Sequence, residues 1–204
     1  MPEFKFKNLP IDGLKLIEPF YMEDKRGHFL KSFEKEVFAR HGIDFEVFED
    51  FESLSVKGIL RGLHFQMTHP QAKLVRCVAG TIFDVAVDLR RGSPTFGRWH
   101  SEILCDDNKK IFFIPVGFAH GFYTMSKTAL VSYRCKGKYS RETDTGVIWN
   151  DPDIGIKWPI DGTPLLSDRD RTFRGIKEFA SETSKLQGIL QLPHKEIFNK
   201  EQIT

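Results

Sequence analysis

An antiparallel all-β sandwich or jelly roll is the fold class predicted for this chain, on three observations. Phe is abundant, with 19 residues against 3 Trp and 4 Tyr, and aromatic and β-branched side chains favour strands. Short alternating runs recur between turn-rich pieces such as Arg91-Gly92-Ser93-Pro94 and Cys105-Asp106-Asp107-Asn108. Helical patterns do not intervene between those runs, as they would in an α/β chain.

In chain order, residues 33–41 suit a short helix stopped by Gly42. Residues 60–66 read as extended, placing Leu60, Gly62, His64 and Gln66 on one face and Arg61, Leu63 and Phe65 on the other. Residues 74–78 and 81–89 are strand candidates, and Ala79-Gly80 between them is a two-residue hairpin signal. In the second of these, Thr81, Phe83, Val85, Val87 and Leu89 share one face, with Asp84 and Asp88 on the other. Further strands are expected at 103–104, 110–114 and 130–135. A helix is expected near 171–185, and the polar stretch 184–204 reads as an extension to a single domain over 1–183.

With 204 residues, the chain can bury a core without disulfides or metals. Apolar residues at 40% and charged residues at 28% argue against disorder, and a net charge of +2 gives no basic face for nucleic acid. Charges interrupt every candidate leader or membrane span. Cys77, Cys105 and Cys135 form no Cys-x-x-Cys pair, so buried thiols in a reducing cytoplasm are expected rather than a disulfide frame or zinc site.

Residue types able to do chemistry gather in a few places. His64 and Lys73 follow Arg61 and Gly62, and Gly62 leaves room for a ligand to approach the backbone. His120 lies between glycines after a strand, in a ligand-facing loop or a barrel corner. Tyr133 shares a strand face with Val131 and Cys135 and reads equally as a core aromatic. The acidic turns around Asp151 and Asp168-Arg169-Asp170 read by themselves as solvated.

Taken together, these strings resemble the dTDP-4-dehydrorhamnose 3,5-epimerase family. The resemblance rests on Leu60-Arg61-Gly62-Leu63-His64-Phe65-Gln66, Lys73-Leu74-Val75-Arg76, Phe83-Asp84-Val85-Ala86-Val87-Asp88, Ser93-Pro94-Thr95-Phe96-Gly97, and the segments 114–122 and 149–158, in order over about residues 10–176. It implies a metal-free cupin jelly roll without cofactor, a nucleotide-sugar substrate, and a homodimer with exchanged N-terminal strands. The residues themselves also disfavour a metal, because His64 and His120 stand alone and no His-x-His pair is present.

The family's base falls on His64, its orienting carboxylate on Asp170, its acid on Tyr133 and the cation beside the substrate carbonyl on Lys73. A carbon acid beside a ketone needs its enolate stabilised, its proton taken by a neutral imidazole, and a new proton delivered to the opposite face. The family's substrate-binding positions fall on Arg26, Phe29, Lys31, Glu49, Phe51, Arg61, Gln66, Lys73, His120, Tyr139, Asp144 and Arg169. Lys31 stands where the family has Glu, and Glu49 and Phe51 where it has Gln and Asn. A carboxylate only accepts hydrogen bonds and a phenyl ring does neither. Reading of the thymine edge is therefore weakened, and GDP- or CDP-linked 4-keto sugars with a single inverted centre form the alternative. A catalytically silent cupin that binds nucleotide sugars is the alternative of another class.

Overall fold

The computed structural model describes residues 3–183. The strands are β1 (Lys5–Asn8), β2 (Lys15–Glu18), β3 (Phe20–Asp24), β4 (Gly27–Lys31), β5 (Glu49–Val56), β6 (Leu60–Gln66), β7 (Ala72–Ala79), β8 (Thr81–Asp88), β9 (Trp99–Cys105), β10 (Ile111–Ile114), β11 (Phe118–Thr124), β12 (Thr128–Lys136) and β13 (Asp144–Gly146). Two helices accompany them, α1 (Lys35–Arg40) and α2 (Ile176–Thr183). One sheet runs β1-β2-β10-β7-β12-β5 and the other β13-β6-β11-β8-β9, with every strand pairing antiparallel. Strands β3 and β4 form a separate hairpin.

The sheets face each other across a core that takes Leu16, Val75, Phe112, Val131 and Cys135 from one and Ile82, Ala86, Leu104, Phe118 and Phe122 from the other. Each outer face is covered as well. Helix α1 and the segment after it bring Phe38, Ile43 and Phe45 onto Ile17, Leu74, Ile111 and Phe113. The C-terminal segment lays Val147, Ile154 and Ile176 on Leu63, Phe65, Val85, Val87 and Ala119. This double burial explains the strand sequences: β11 is buried at every position and reads as a continuous run rather than an alternation.

The hairpin expected at Ala79-Gly80 does not form. Strand β7 pairs with β10 and β12, and β8 pairs with β9 and β11, in the other sheet. Gly80, at φ +83°, turns the chain from one sheet to the other, and a Cβ there would meet the Thr128 carbonyl oxygen at 2.1 Å. A tight Ala-Gly turn fits both a hairpin and a corner, and only competing strand partners decide between them.

The acidic turn at Asp151 is buried rather than solvated. Its Oδ1 accepts the Asp153 and Ile154 amides and its Oδ2 accepts the Ile176 amide, fastening the start of α2 to the turn. Among the described residues no helix is long and apolar enough to cross a membrane. The 184–204 extension lies outside the described residues.

Candidate active site

Strand register decides which side chains enter the space between the sheets. On β11, His120 stands opposite His64 of β6 and Ala86 of β8, so His64, His120 and Asp84 share the inward face. On the other wall, Tyr133 of β12 stands between Phe51 of β5 and Val75 of β7, and Cys135 stands opposite Lys73. Lys73, Tyr133 and Phe51 therefore face inward from the second sheet. The walls touch where the Tyr133 ring meets the His120 ring edge-on, at 6.0 Å between centroids.

Strict alternation along β6 predicts that Arg61 and His64 point to opposite faces, and the structure corrects this. The β6–β11 register shifts between His120 and Phe122, so Arg61 stands opposite Phe122 and shares the inward face with His64. Arg61 Nε donates to the Ser55 hydroxyl at 3.0 Å, across the pocket on β5. Gly62 carries this bulge at φ +135°. It leaves no opening for a ligand: a Cβ there would lie 2.5 Å from Gly121 Cα. His120 likewise sits within β11 rather than in a loop.

His64 and Asp170 are 106 residues apart and meet at 2.8 Å through Nε2 and Oδ1. The Asp170 Oδ2 accepts the Gly62 amide at 3.2 Å, and the Asp170 amide donates to the Ser167 hydroxyl at 3.1 Å. Burial pushes the Asp170 carboxyl up, but the bonds from His64, Gly62 and Ser167 outweigh it and hold the group below the usual carboxylate range. An ionised Asp170 accepts the Nε2 proton and leaves Nδ1 of His64 as the basic nitrogen. Phe173 packs edge-on against the imidazole at 5.7 Å.

Tyr133 is 7% exposed and its ring stacks on Phe51 at 4.9 Å. Burial pushes its pKa up, against smaller opposing effects of the Ser53 hydroxyl and Arg61, so the phenol is protonated at neutral pH. Ser53 lies beside the phenol without the geometry of a full hydrogen bond. Burial pushes the Lys73 amine down, opposed by Cys135, Asp144 and Asp84. His120 Nε2 and Asp84 Oδ1 are 2.8 Å apart, and both side chains are buried.

The remaining positions form a second group. Glu49 accepts the Tyr139 amide through Oε1 at 2.9 Å and the Gln71 side chain through Oε2 at 3.0 Å. Gln66 accepts the Ser140 amide and donates to the His69 and Lys138 carbonyls. Asp144 accepts from the Tyr139 hydroxyl at 3.2 Å and pairs with Arg169 at 2.6 Å. A groove of about 730 Å³, lined by Tyr139, His69, Lys138 and Arg141 among others, opens beside this loop. Arg26, Phe29 and Lys31 are not brought into either group. They lie on the β3–β4 hairpin, where Arg26 pairs with Asp24, Phe29 packs on Phe20 and Lys31 pairs with Glu34.

Sequence reasoning passed over Asp84, Ser53 and Ser55. Asp84 had a signal, since it is a carboxylate in the middle of a largely apolar strand, flanked on its own face by Ile82 and Ala86. The serines had none.

A jelly roll with a carboxylate-oriented imidazole on one wall and a buried phenol with a lysine on the other suits an isomerase that moves protons on opposite faces of one carbon, the chemistry of an epimerase. Comparison with known proteins agrees. The profile of the dTDP-4-dehydrorhamnose 3,5-epimerase family matches residues 8–178, and the chain belongs to that family. It is 46% identical over 180 residues to the dTDP-4-dehydrorhamnose 3,5-epimerase of Methanothermobacter thermautotrophicus, covering 87% of this chain and 97% of that protein. A Legionella pneumophila dTDP-6-deoxy-D-glucose-3,5-epimerase, solved in complex with dTDP-4-keto-L-rhamnose, is 40% identical with a TM-score of 0.88, over 94% of this chain and all 100% of that one. A 3'-monoepimerase from Streptomyces bikiniensis, in complex with dTDP-quinovose, is 35% identical with a TM-score of 0.80, over 90% of this chain and 91% of that one.

Proposed function

We propose that the chain inverts C3 and C5 of dTDP-4-dehydro-6-deoxyglucose, in the making of L-rhamnose or a similar deoxysugar. The observation that carries this reading is the placement of a base and an acid on opposite walls of one pocket. His64 Nδ1 takes the proton beside the C4 ketone, and Asp170 stabilises the imidazolium that results. The Lys73 ammonium balances charge on the enolate oxygen. Tyr133 returns a proton to the opposite face and thereby inverts the centre. A positioned acid or base contributes about 10²–10⁴ in rate.

On the nucleotide side, Tyr139 offers an aromatic face to a base and Arg61 and Arg169 offer charge to the pyrophosphate. Both Glu49 oxygens are engaged within the protein, which supports a role in holding the Tyr139 loop rather than in reading a base. The protein is taken to act in the cytoplasm as a homodimer, with Arg26, Phe29 and Lys31 completing the partner's site. Phe29 and Met22 are 58% and 51% exposed on that hairpin, as a segment made to be covered by a second copy would be.

Proton NMR in D₂O with dTDP-4-keto-6-deoxyglucose tests the reading. Loss of both the C3 and C5 signals is expected, and loss of neither overturns it. Likeness to a monoepimerase supports single-centre inversion as the second reading, which loss of one signal alone would establish.

A further inference from the structure

We propose that Asp84 is a positioning residue for this reaction, binding the His120 ring on one oxygen and holding the Lys73 ammonium by its charge through the other. The proposal rests on the epimerase reading above and assigns a role to a residue outside the base, acid and cation.

Asp84 is fully buried on β8, on the inward face it shares with His120 and His64. Its Oδ1 meets His120 Nε2 at 2.8 Å. Its Oδ2 is also buried and has no hydrogen-bond partner. A carboxylate kept only to satisfy a histidine would be an expensive choice, since a carbonyl or amide oxygen orients the ring equally well without burying a charge. The empty oxygen and the buried charge need another reason, and Lys73 supplies it.

Lys73 enters the same interior from the opposite sheet. The ionisable groups around it are Cys135 on β12, Asp144 on β13, Asp84 on β8 and His120 on β11. The Cys135 thiol is pushed up to about 11 by burial and is neutral at working pH. Asp144 already pairs with Arg169 at 2.6 Å and bonds the Tyr139 hydroxyl. His120 is pushed down by burial and by the Lys73 charge, so it is a neutral ring donating its Nε2 proton to Asp84. Burial pushes the Asp84 carboxyl up, opposed by the His120 it bonds and by the Lys73 charge. Asp84 is thus the buried carboxylate left to face the ammonium, and each favours the charged form of the other where an enolate oxygen will need a cation.

The test uses Asp84→Asn and Asp84→Glu in the full-length enzyme, with kcat and kcat/KM followed from about pH 6 to 10. Asp84→Asn keeps the shape and removes the charge. Its alkaline limb should move down by about one pH unit or more, because Lys73 loses the anion that favours its charged form. Tyr133 titrates too high to supply that limb. At neutral pH kcat should fall at least about tenfold with KM little changed. Asp84→Glu restores the charge at a displaced bond, so it should lower kcat while returning the limb to its original place. A limb that stays put in Asp84→Asn, or moves equally in both variants, would overturn the proposal. Should Asp84→Asn fail to fold, ¹⁵N NMR of His120 in the unaltered protein decides. A neutral ring protonated on Nε2 supports the proposal, and a ring protonated on Nδ1 alone ends it. Failure of the unaltered enzyme to wash deuterium into substrate would remove the epimerase reading instead, independently of any limb.

Discussion

His64 has two ring nitrogens, and Asp170 selects which of them does the work. With Nε2 committed to a carboxylate at 2.8 Å, the proposed proton abstraction falls to Nδ1, and changing Asp170 alters both tautomer and charge. Asp170→Asn should therefore lower kcat by about 10²–10⁴ with a smaller effect on KM. Unchanged kcat would remove Asp170 from the mechanism. The same residue makes a stability prediction. Its folded carboxyl titrates below its unfolded value, so its contribution is present above the ordinary carboxylate range and lost as pH falls through the folded value. Comparing urea midpoints at neutral and strongly acid pH, the unaltered protein should lose more stability on acidification than Asp170→Asn. Equal losses would show that the carboxylate gains nothing from His64 and Gly62.

At the scale of the element, strand β6 shows how one irregularity builds a site. The shifted register after Arg61 puts Arg61 and His64 on the same face, which an unbroken strand forbids. The bulge needs a residue without a side chain, because Gly62 sits at φ +135° with the Gly121 backbone where a Cβ would go. Gly62→Ala should cost a few kcal/mol of stability in a denaturant melt, from strain and displacement of β11 together. An unchanged midpoint would mean that the two strands separate without penalty. Strand β5 shows a second kind of economy. Its inward positions meet the site in turn, Glu49 at the Tyr139 amide, Phe51 at the Tyr133 ring, and Ser55 at Arg61.

For the whole molecule, the β3–β4 hairpin stands apart from both sheets. Its Phe29 and Met22 are exposed, and among the described residues β5 has no second neighbour, which leaves an uncovered face and a sheet edge on the same protomer. If a second copy completes each site, two inactive variants should rescue each other. Arg26→Ala spoils the hairpin given to the partner, and His64→Asn spoils the protomer's own base. Dimers containing one of each hold one intact site, so co-expressed chains should regain about a quarter of full activity. No recovery, together with a monomer in sedimentation, would show that each chain works alone.

Much of this was legible in the residues. Alternation and turn chemistry specified an all-β chain, and β6, β7, β8, β10 and β12 fall where their patterns place them, because pleating and side-chain period are local properties. The motif strings identified the family, and the resemblance, not the residue types by themselves, pointed to His64, Asp170, Tyr133 and Lys73. Pairing was not legible. Gly80 became a corner instead of a hairpin because β7 and β8 each found other partners, and strand choice depends on contacts distant in sequence. Asp170 and Asp151 looked like solvated turns because their partners, His64 and Ile176, lie far along the chain. The sequence by itself determined which chemical groups this protein carries and the class of fold that holds them. Only the tertiary structure decided which of those groups meet, since burial, register and charge pairing are set between strands and not within them.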